Sequence, residues 1–183
     1  MNFPRLEIPM PLKKILPVVM GLNACDPNAN HDTNGYDNSC EGLVACFEEQ
    51  IPGITLALET LPDYVRNALI ATEERLKQET ANDLAIDTSD LTTRTDCFKS
   101  EDLSEAVTDC EESAGITEEE CNGEYSINDD FTGHDLALIE GSAAITQATC
   151  PNPDMETVKF ALTSQSYDGR DLRCITTAYV CNQ

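Results

Sequence analysis

The chain has 183 residues, of which 34 are acidic and 11 basic, so its formal net charge is −23. A protein this acidic repels nucleic acid and anionic lipid, which excludes a nucleic-acid-binding function and leaves cations or a basic protein as binding partners. The sequence has no apolar run of the roughly 18 to 20 residues that a membrane-spanning helix needs.

The first predicted element is an export signal in residues 10–25. Lys13 and Lys14 precede a short apolar stretch that runs from Ile15 to Leu22, which is the layout of a secretory signal peptide. The segment ends in Leu22-Asn23-Ala24-Cys25, which resembles the lipobox of bacterial lipoproteins. In that family the signal is removed and the cysteine thiol is diacylglycerylated.

The lipobox resemblance implies an address for the mature protein. Residues 1–24 would be removed, Cys25 would become a lipidated N-terminus, and the chain would be a lipid-anchored protein of the cell envelope, facing the periplasm or the cell surface. Two or more acyl chains hold a protein firmly at a membrane, whereas one chain does so only marginally. The alternatives are cleavage near Ala24 with free secretion, or a retained N-terminal element whose Cys25 pairs with another cysteine.

An acidic stretch, residues 25–40, follows the signal, and its polar side chains alternate around Gly35. Residues 30–41 resemble a thrombospondin type 3 repeat and an EF-hand-like calcium loop. Calcium prefers six to eight oxygen ligands. The resemblance implies ligands from Asn30, Asp32, Asn34, the Tyr36 carbonyl and Glu41. The alternative interpretation is a hydrophilic tether that binds no metal.

Residues 41–183 are predicted to form one cysteine-rich domain that begins with helices. Apolar spacing predicts a short helix over 41–50, which Pro52 and Gly53 end. A second helix is predicted from a Thr60 cap to about Ala81. Residues 82–96 are polar and predict a loop with at most one short element.

Further helices are predicted from local signals in the middle of the chain. Ser100 is expected to begin a helix, because acidic residues follow it in the first turn. Cys110 falls on the apolar face of that helix. The segment from Thr117 to Glu120 has a capping-box pattern that predicts another helical turn.

The C-terminal third is predicted to contain a β-hairpin. Residues 157–163 and 173–180 favour strands, and Tyr167-Asp168-Gly169-Arg170 favours a turn between them. Residues 135–149 are apolar and fit either a helix or a strand. The predicted fold class is therefore α+β, with helices in the N-terminal half and a short antiparallel β-hairpin near the C-terminus.

Eight cysteines follow Cys25, and an even number in an exported domain predicts up to four disulfides. A zinc site is disfavoured, because the sequence has no CxxC pair and only two histidines. The last two cysteines lie seven residues apart and should not pair with each other on a regular strand. The cysteines expected to form disulfides are Cys40, Cys46, Cys97, Cys110, Cys121, Cys150, Cys174 and Cys181.

Motifs for catalysis are weak. A serine hydrolase would need His134 as its base, with Asp135 beside it, and Gly141-Ser142-Ala143 resembles a nucleophile elbow only superficially. Residues 97–135 contain 13 acidic residues and only Lys99 as a base. This region predicts either a solvated acidic face or a site for a cationic partner.

The sequence thus predicts an exported, lipid-anchored, non-catalytic binding or structural module, with calcium as a possible cofactor and a basic protein as a possible partner. The alternative is a small envelope hydrolase that uses dispersed carboxylates. Two carboxylates that converge in a cleft, one with a raised pKa, would favour the hydrolase. A flat acidic patch would favour a partner-binding surface.

Overall fold

The computed structural model describes residues 40–125, 134–150 and 152–181, and these form a mixed helix and strand fold. The predicted signal peptide, Cys25, and four of the five predicted calcium ligands lie outside the described residues. The helices are α1 (Cys40–Gln50), α2 (Asp63–Leu84), α3 (Ser100–Ala114), α4 (Glu118–Asn122) and α5 (Asp135–Thr149). The strands are β1 (Thr92–Lys99), β2 (Pro153–Tyr167) and β3 (Arg170–Cys181). The predicted α+β class is confirmed.

Local sequence signals account for most of the helix ends. Helix α1 ends at Gln50 and is followed by a 3₁₀ turn, Ile51–Ile54, which contains the predicted proline and glycine. Helix α3 begins at Ser100 as expected. The prediction that Thr60 caps α2 is wrong, because the Thr60 hydroxyl donates to the carbonyl of Ala57 and the helix begins only after Pro62.

The prediction of a loop over 82–96 is also wrong. Helix α2 continues to Leu84, a 3₁₀ turn spans Thr88–Asp90, and β1 begins at Thr92. The first three residues of β1 are exposed or half-buried, and the next four, residues 95–98, are all buried. A strand of that kind lacks the alternation of polar and apolar residues by which strands are usually predicted.

The three strands form an antiparallel sheet in the order β1-β3-β2. Strands β2 and β3 form the predicted hairpin, and both are longer than expected. Asp168 and Gly169 have φ values of 51° and 70°. Two successive residues with positive φ are characteristic of the type I′ turn, whose twist matches that of the flanking strands.

The sheet separates two helical layers. One face packs against α2, where Leu69, Cys97 and Cys174 belong to one buried cluster. The opposite face packs against the remaining helices, and Phe98 and Ile175 lie in that larger core. Neighbouring residues of a strand point to opposite faces, so Cys174 and Ile175 belong to different cores.

The four disulfides join distant parts of the chain. Cys40–Cys121 and Cys46–Cys110 connect α1 to α4 and α3, and Cys97–Cys174 links β1 to β3 across the sheet. Cys150–Cys181 joins the end of α5 to the end of β3. The predicted full pairing is confirmed, and so is the absence of a bond between the last two cysteines. Since disulfides persist in oxidising surroundings, the folded protein belongs in such a compartment.

Residues 135–149, which fitted either a helix or a strand, form helix α5. Gly141 allows this helix to approach Ile51 closely. A Cβ atom at position 141 would lie 2.4 Å from Ile51 Cγ2 and 2.7 Å from Ile51 Cβ. Ile51 is fully buried, so it has no free space into which it can move.

Gly141→Ala is therefore expected to destabilise the protein by about 1 to 3 kcal/mol, because overpacking outweighs the roughly 1 kcal/mol gain in helix propensity. Urea denaturation of the variant measures the change. Gly53→Ala is the matched control, since nothing lies within 4 Å of its added Cβ. A loss of stability at position 53 equal to that at 141 would contradict the steric explanation.

Candidate functional site

Charge is distributed unequally between the four helices that cover one face of the sheet and the other long elements of the fold. Helices α1, α3, α4 and α5 contain 14 acidic residues and no Lys or Arg. Helix α2 and the three strands contain 9 acidic and 8 basic residues. We call the four helices without bases the acidic helical layer. Because its charge is of one sign, this layer has a negative electrostatic potential that extends over about the Debye length of 8 to 10 Å.

Several of these acids stabilise the ends of helices. Thr117 and Glu120 form the predicted capping box, in which the Thr117 N–H donates to Glu120 Oε2 at 2.9 Å. That hydrogen bond lowers the pKa of Glu120. Lys99, the one base in residues 97–135, donates to Asp102 at 3.0 Å. Lys99 thus forms an ion pair with Asp102 at the start of α3. One such pair leaves the charge of the acidic helical layer strongly negative.

Glu118 is a buried acid that caps α5 from outside the helix. Its carboxylate accepts backbone hydrogen bonds from His134 at 2.7 Å and from Ala137 at 3.0 Å. The first N–H groups of a helix have no partners within the helix, so this carboxylate satisfies two of them. Sequence reasoning missed this contact, because 16 residues separate Glu118 from His134.

The imidazole of His134 lies between the carboxylate of Glu118 and the hydroxyl of Ser104. A serine hydrolase has the same order of acid, imidazole and hydroxyl. Its Nδ1 is 3.2 Å from Glu118 Oε2, and its Nε2 is 3.2 Å from Ser104 Oγ. Asp135, the acid adjacent in sequence, accepts a hydrogen bond from Arg173 at 2.8 Å. The acid that contacts the imidazole is therefore Glu118, which comes from a different helix.

The hydrogen bonds around His134 favour a protonated imidazole. Ser104 Oγ donates its single proton to the carbonyl of Ser100 at 2.8 Å, so its contact with Nε2 requires an N–H donor. The carboxylate of Glu118 accepts from Nδ1. The pKa of His134 is raised, chiefly by this hydrogen bond to Glu118. A general base needs a neutral imidazole, so the cluster suits an ion pair that fixes the start of α5.

Glu118→Gln is expected to lower the free energy of unfolding by about 2 kcal/mol, because two backbone N–H groups lose a charged acceptor. Chemical denaturation measures this loss. The exposed neighbour Glu119 provides the matched control, and Glu119→Gln should change stability by less than about 0.5 kcal/mol. Equal effects of the two substitutions would show that Glu118 does not cap α5.

Glu140 is buried in α5 without a compensating partner. Its side chain is 3% exposed, and none of the residues in 40–125, 134–150 and 152–181 donates a hydrogen bond to it. Burial raises its pKa to about 7, and the nearby charge of Glu48 in α1 contributes to the same shift. The pKa of Tyr125 is also raised, by burial first and then by the charge of Glu140.

Asp96 and Ser142 are buried polar residues whose side chains have hydrogen-bond partners in the sheet. Both carboxylate oxygens of Asp96 share the single Nε–H of Arg94 in a bifurcated hydrogen bond, at 2.9 and 3.0 Å. The Ser142 hydroxyl lies 2.9 Å from that of Thr177. Ser142, the residue at the centre of the elbow-like sequence, is thus a buried partner of a strand threonine and is not available as a surface nucleophile.

Two cavities, one beneath α5 and one on α2, are candidate ligand sites. A cavity of about 30 Å³ lies between α5 and the sheet and is mostly apolar. It exceeds the roughly 10 to 15 Å³ that one water needs but is much smaller than a ligand pocket. A polar groove of about 280 Å³ on α2 is lined in part by Glu73 and Lys77. Neither cavity is lined by Glu48, Tyr125, His134 or Glu140.

Of the five predicted calcium ligands, one lies in the part of the chain that the structure describes. Glu41 is exposed in the first turn of α1, while Asn30, Asp32, Asn34 and Tyr36 lie outside the described residues. Within the described ranges, no group of three His, Cys, Asp or Glu side chains could hold a metal ion. Calcium binding by residues 30–41 therefore stays a prediction.

Comparisons with known proteins do not place this chain in a family. No protein-family model matches the chain, and neither curated proteins nor solved structures give a significant match. In the part of the chain that the structure describes, no helix has the length and apolar character required to cross a membrane.

Proposed function

We propose that this chain is an exported, lipid-anchored, non-catalytic module of the bacterial cell envelope that binds a basic protein partner through its acidic helical layer. The observation that carries the binding proposal is the segregation of charge, with 14 acids and no Lys or Arg in the four helices that cover one face of the sheet. Solubility alone needs net charge but does not need it on one side.

The cysteines support the proposed address. All eight cysteines after Cys25 are paired with one another, so Cys25 has no disulfide partner left within the chain. A single unpaired cysteine that ends a signal-like segment is the chemistry that lipid attachment requires. The four disulfides also agree with folding outside the cytoplasm.

The exposure of the acids supports partner binding. Of the 14 acids in the layer, only Glu118, Asp135 and Glu140 are buried, so most of this charge faces solvent. Complementary charge speeds encounter with a basic partner and discriminates against acidic ones. Such binding weakens as salt concentration rises, because the exposed charges are screened.

The binding proposal is tested with two triple variants that remove equal charge from opposite sides of the sheet. The first neutralises three exposed acids of α3 (Glu105→Gln, Asp109→Asn and Glu112→Gln). The control neutralises three exposed acids on the α2 side (Glu59→Gln, Glu74→Gln and Glu79→Gln).

Both triple variants are titrated with a fluorescein-labelled octalysine peptide at low and high salt. We expect the α3 variant to lose at least about fivefold in affinity at low salt and the control to lose less than about twofold. Equal losses would mean that only total charge matters, and absence of salt-dependent binding by the native protein would contradict the proposal.

A hydrolase that uses dispersed carboxylates is the second candidate function. One observation favours it, namely that burial and Glu48 raise the pKa of Glu140 to about 7, as a general acid requires. Its test compares the native protein with Glu140→Gln on a panel of chromogenic glycosides and esters. Hydrolysis by the native protein that is lost in the variant would establish this function, and equal background rates would exclude it.

A further inference from the structure

His134 lies where three helices of the acidic helical layer meet. Its Nδ1 is 3.2 Å from Glu118 Oε2 in α4, its Nε2 is 3.2 Å from Ser104 Oγ in α3, and its backbone directly precedes α5. The side chain is 36% exposed, so protons can pass between the imidazole and solvent. The imidazole therefore connects α3 and α4 to the start of α5, and it can also respond to the pH of the medium.

The backbone at His134 depends on the same contacts. Its φ of 59° lies in the left-handed region, which a residue with a Cβ atom adopts at a cost in free energy. Helix α5 has no side-chain cap of its own, and the Glu118 carboxylate accepts from the N–H groups of His134 and Ala137 instead. The Glu118 N–H in turn donates to Glu111 Oε1 of α3 at 2.7 Å. The start of α5 is thus held by side chains of two neighbouring helices.

Charged groups from α3, α4, α5 and β3 surround the imidazole. The pKa of His134 is raised, first by the hydrogen bond to Glu118 and then by the negative charges of Glu118 and Glu111. Burial and the positive charge of Arg173 in β3 lower it. Arg173 is itself paired with Asp135 of α5, at 2.8 Å. The surroundings of His134 therefore favour the protonated imidazole over the neutral one.

We infer that His134 is a pH-sensitive switch, which joins α5 to α3 and α4 when the imidazole is protonated and loosens the start of α5 when the proton leaves. A neutral imidazole has one N–H group. If Nδ1 keeps that proton for Glu118, Nε2 becomes an acceptor. The Ser104 hydroxyl, which donates to the Ser100 carbonyl at 2.8 Å, must then leave that carbonyl or lose its bond to the imidazole. Deprotonation also removes the positive charge that Glu118 faces, so the contacts to both neighbouring helices weaken together.

The raised pKa fixes the direction of the pH effect. Because the pKa of His134 lies above its ordinary value of 6.5 in the folded protein, the folded state binds this proton more tightly than the unfolded state. The stability that His134 contributes is fully present below pH 6.5 and is lost as the pH rises through the raised pKa. Stability linked to Glu140 also falls with rising pH. A variant that lacks His134 and retains Glu140 separates the two effects.

The test measures amide hydrogen exchange by NMR in the native protein, His134→Gln and His31→Gln between pH 6 and pH 9. The Ala137 amide, which donates to Glu118, reports opening at the start of α5. We expect its protection factor to fall with rising pH by at least about threefold more in the native protein than in His134→Gln, whose side chain does not titrate. His31→Gln removes the other histidine of the chain and should behave as the native protein does.

A second measurement needs no substitution of His134. In His31→Gln the remaining imidazole Cε1–H signal belongs to His134, and its titration midpoint should lie above 6.5 and coincide with the fall in Ala137 protection. A midpoint at or below 6.5, or equal falls in protection in the native protein and His134→Gln, would overturn the inference. Neither measurement involves a binding partner, so the switch is tested independently of the proposed function.

Discussion

Replacement of Cys46 and Cys110 together by alanine is expected to lower the free energy of unfolding by about 4 kcal/mol. Their disulfide closes a loop with a sequence separation of 64 and so restricts the unfolded chain. Both cysteines are fully buried in the larger core, where loss of the sulfurs also removes packing. Against a total stability of about 5 to 15 kcal/mol, this loss is large. Urea denaturation followed by circular dichroism measures it.

The control for this experiment is the double replacement of Cys150 and Cys181. Their sequence separation is 31, so the chain-entropy contribution is smaller by about 0.6 kcal/mol. We expect a smaller loss of unfolding free energy than in the Cys46 and Cys110 variant. A loss of less than about 1 kcal/mol in the Cys46 and Cys110 variant would contradict the role assigned to this bond in holding α1 against α3.

Glu140→Gln is expected to stabilise the free protein at pH 8 by up to about 3 kcal/mol. The pKa of Glu140 is raised from 4.5 to about 7 in the folded protein, and each unit of difference corresponds to about 1.4 kcal/mol. The folded state therefore binds the proton more tightly than the unfolded state. Stability linked to this group is present below pH 4.5 and is lost as the pH rises to about 7.

The difference in unfolding free energy between Glu140→Gln and the native protein is measured across pH 4.5 to 8. It should be small at the acidic end and grow toward neutrality. Ser113→Ala, an exposed substitution in α3 that removes no charge, provides a control whose effect on stability should not depend on pH. A Glu140→Gln variant that is destabilised at pH 8 would show that the native carboxylate has a stabilising partner.

Elements specified by adjacent residues were predictable from the sequence. The capping box at Thr117 and Glu120 needs only one turn of chain, and the hairpin needs only Asp168 and Gly169 at its turn. Strand β1 was missed because its partner β3 is distant in sequence, with Cys97 opposite Cys174. The contacts that stabilise β1 are therefore made with residues distant in sequence, and the sequence of β1 itself has no local pattern that predicts a strand.

The candidate site was only partly predictable. The excess of acids in residues 97–135 was visible in the sequence, but the placement of the acids of α3, α4 and α5 over one face of the sheet depends on how the helices pack. Glu140 is one acid within the apolar run of α5, and sequence alone cannot show that this helix is buried on nearly every face. The link from Glu118 to His134 likewise arises from the packing of α4 beside α5.

The most direct test of an exported, lipid-anchored module is mass spectrometry of the protein from its native host, as N-terminal peptide and as intact chain, before and after reduction. We predict an N-terminal peptide that begins at Cys25 and carries acyl mass, and a gain of eight hydrogens when the four disulfides are reduced. An unmodified Cys25, or a retained segment 1–24, would contradict the proposal that this protein is exported and anchored to the membrane by lipid.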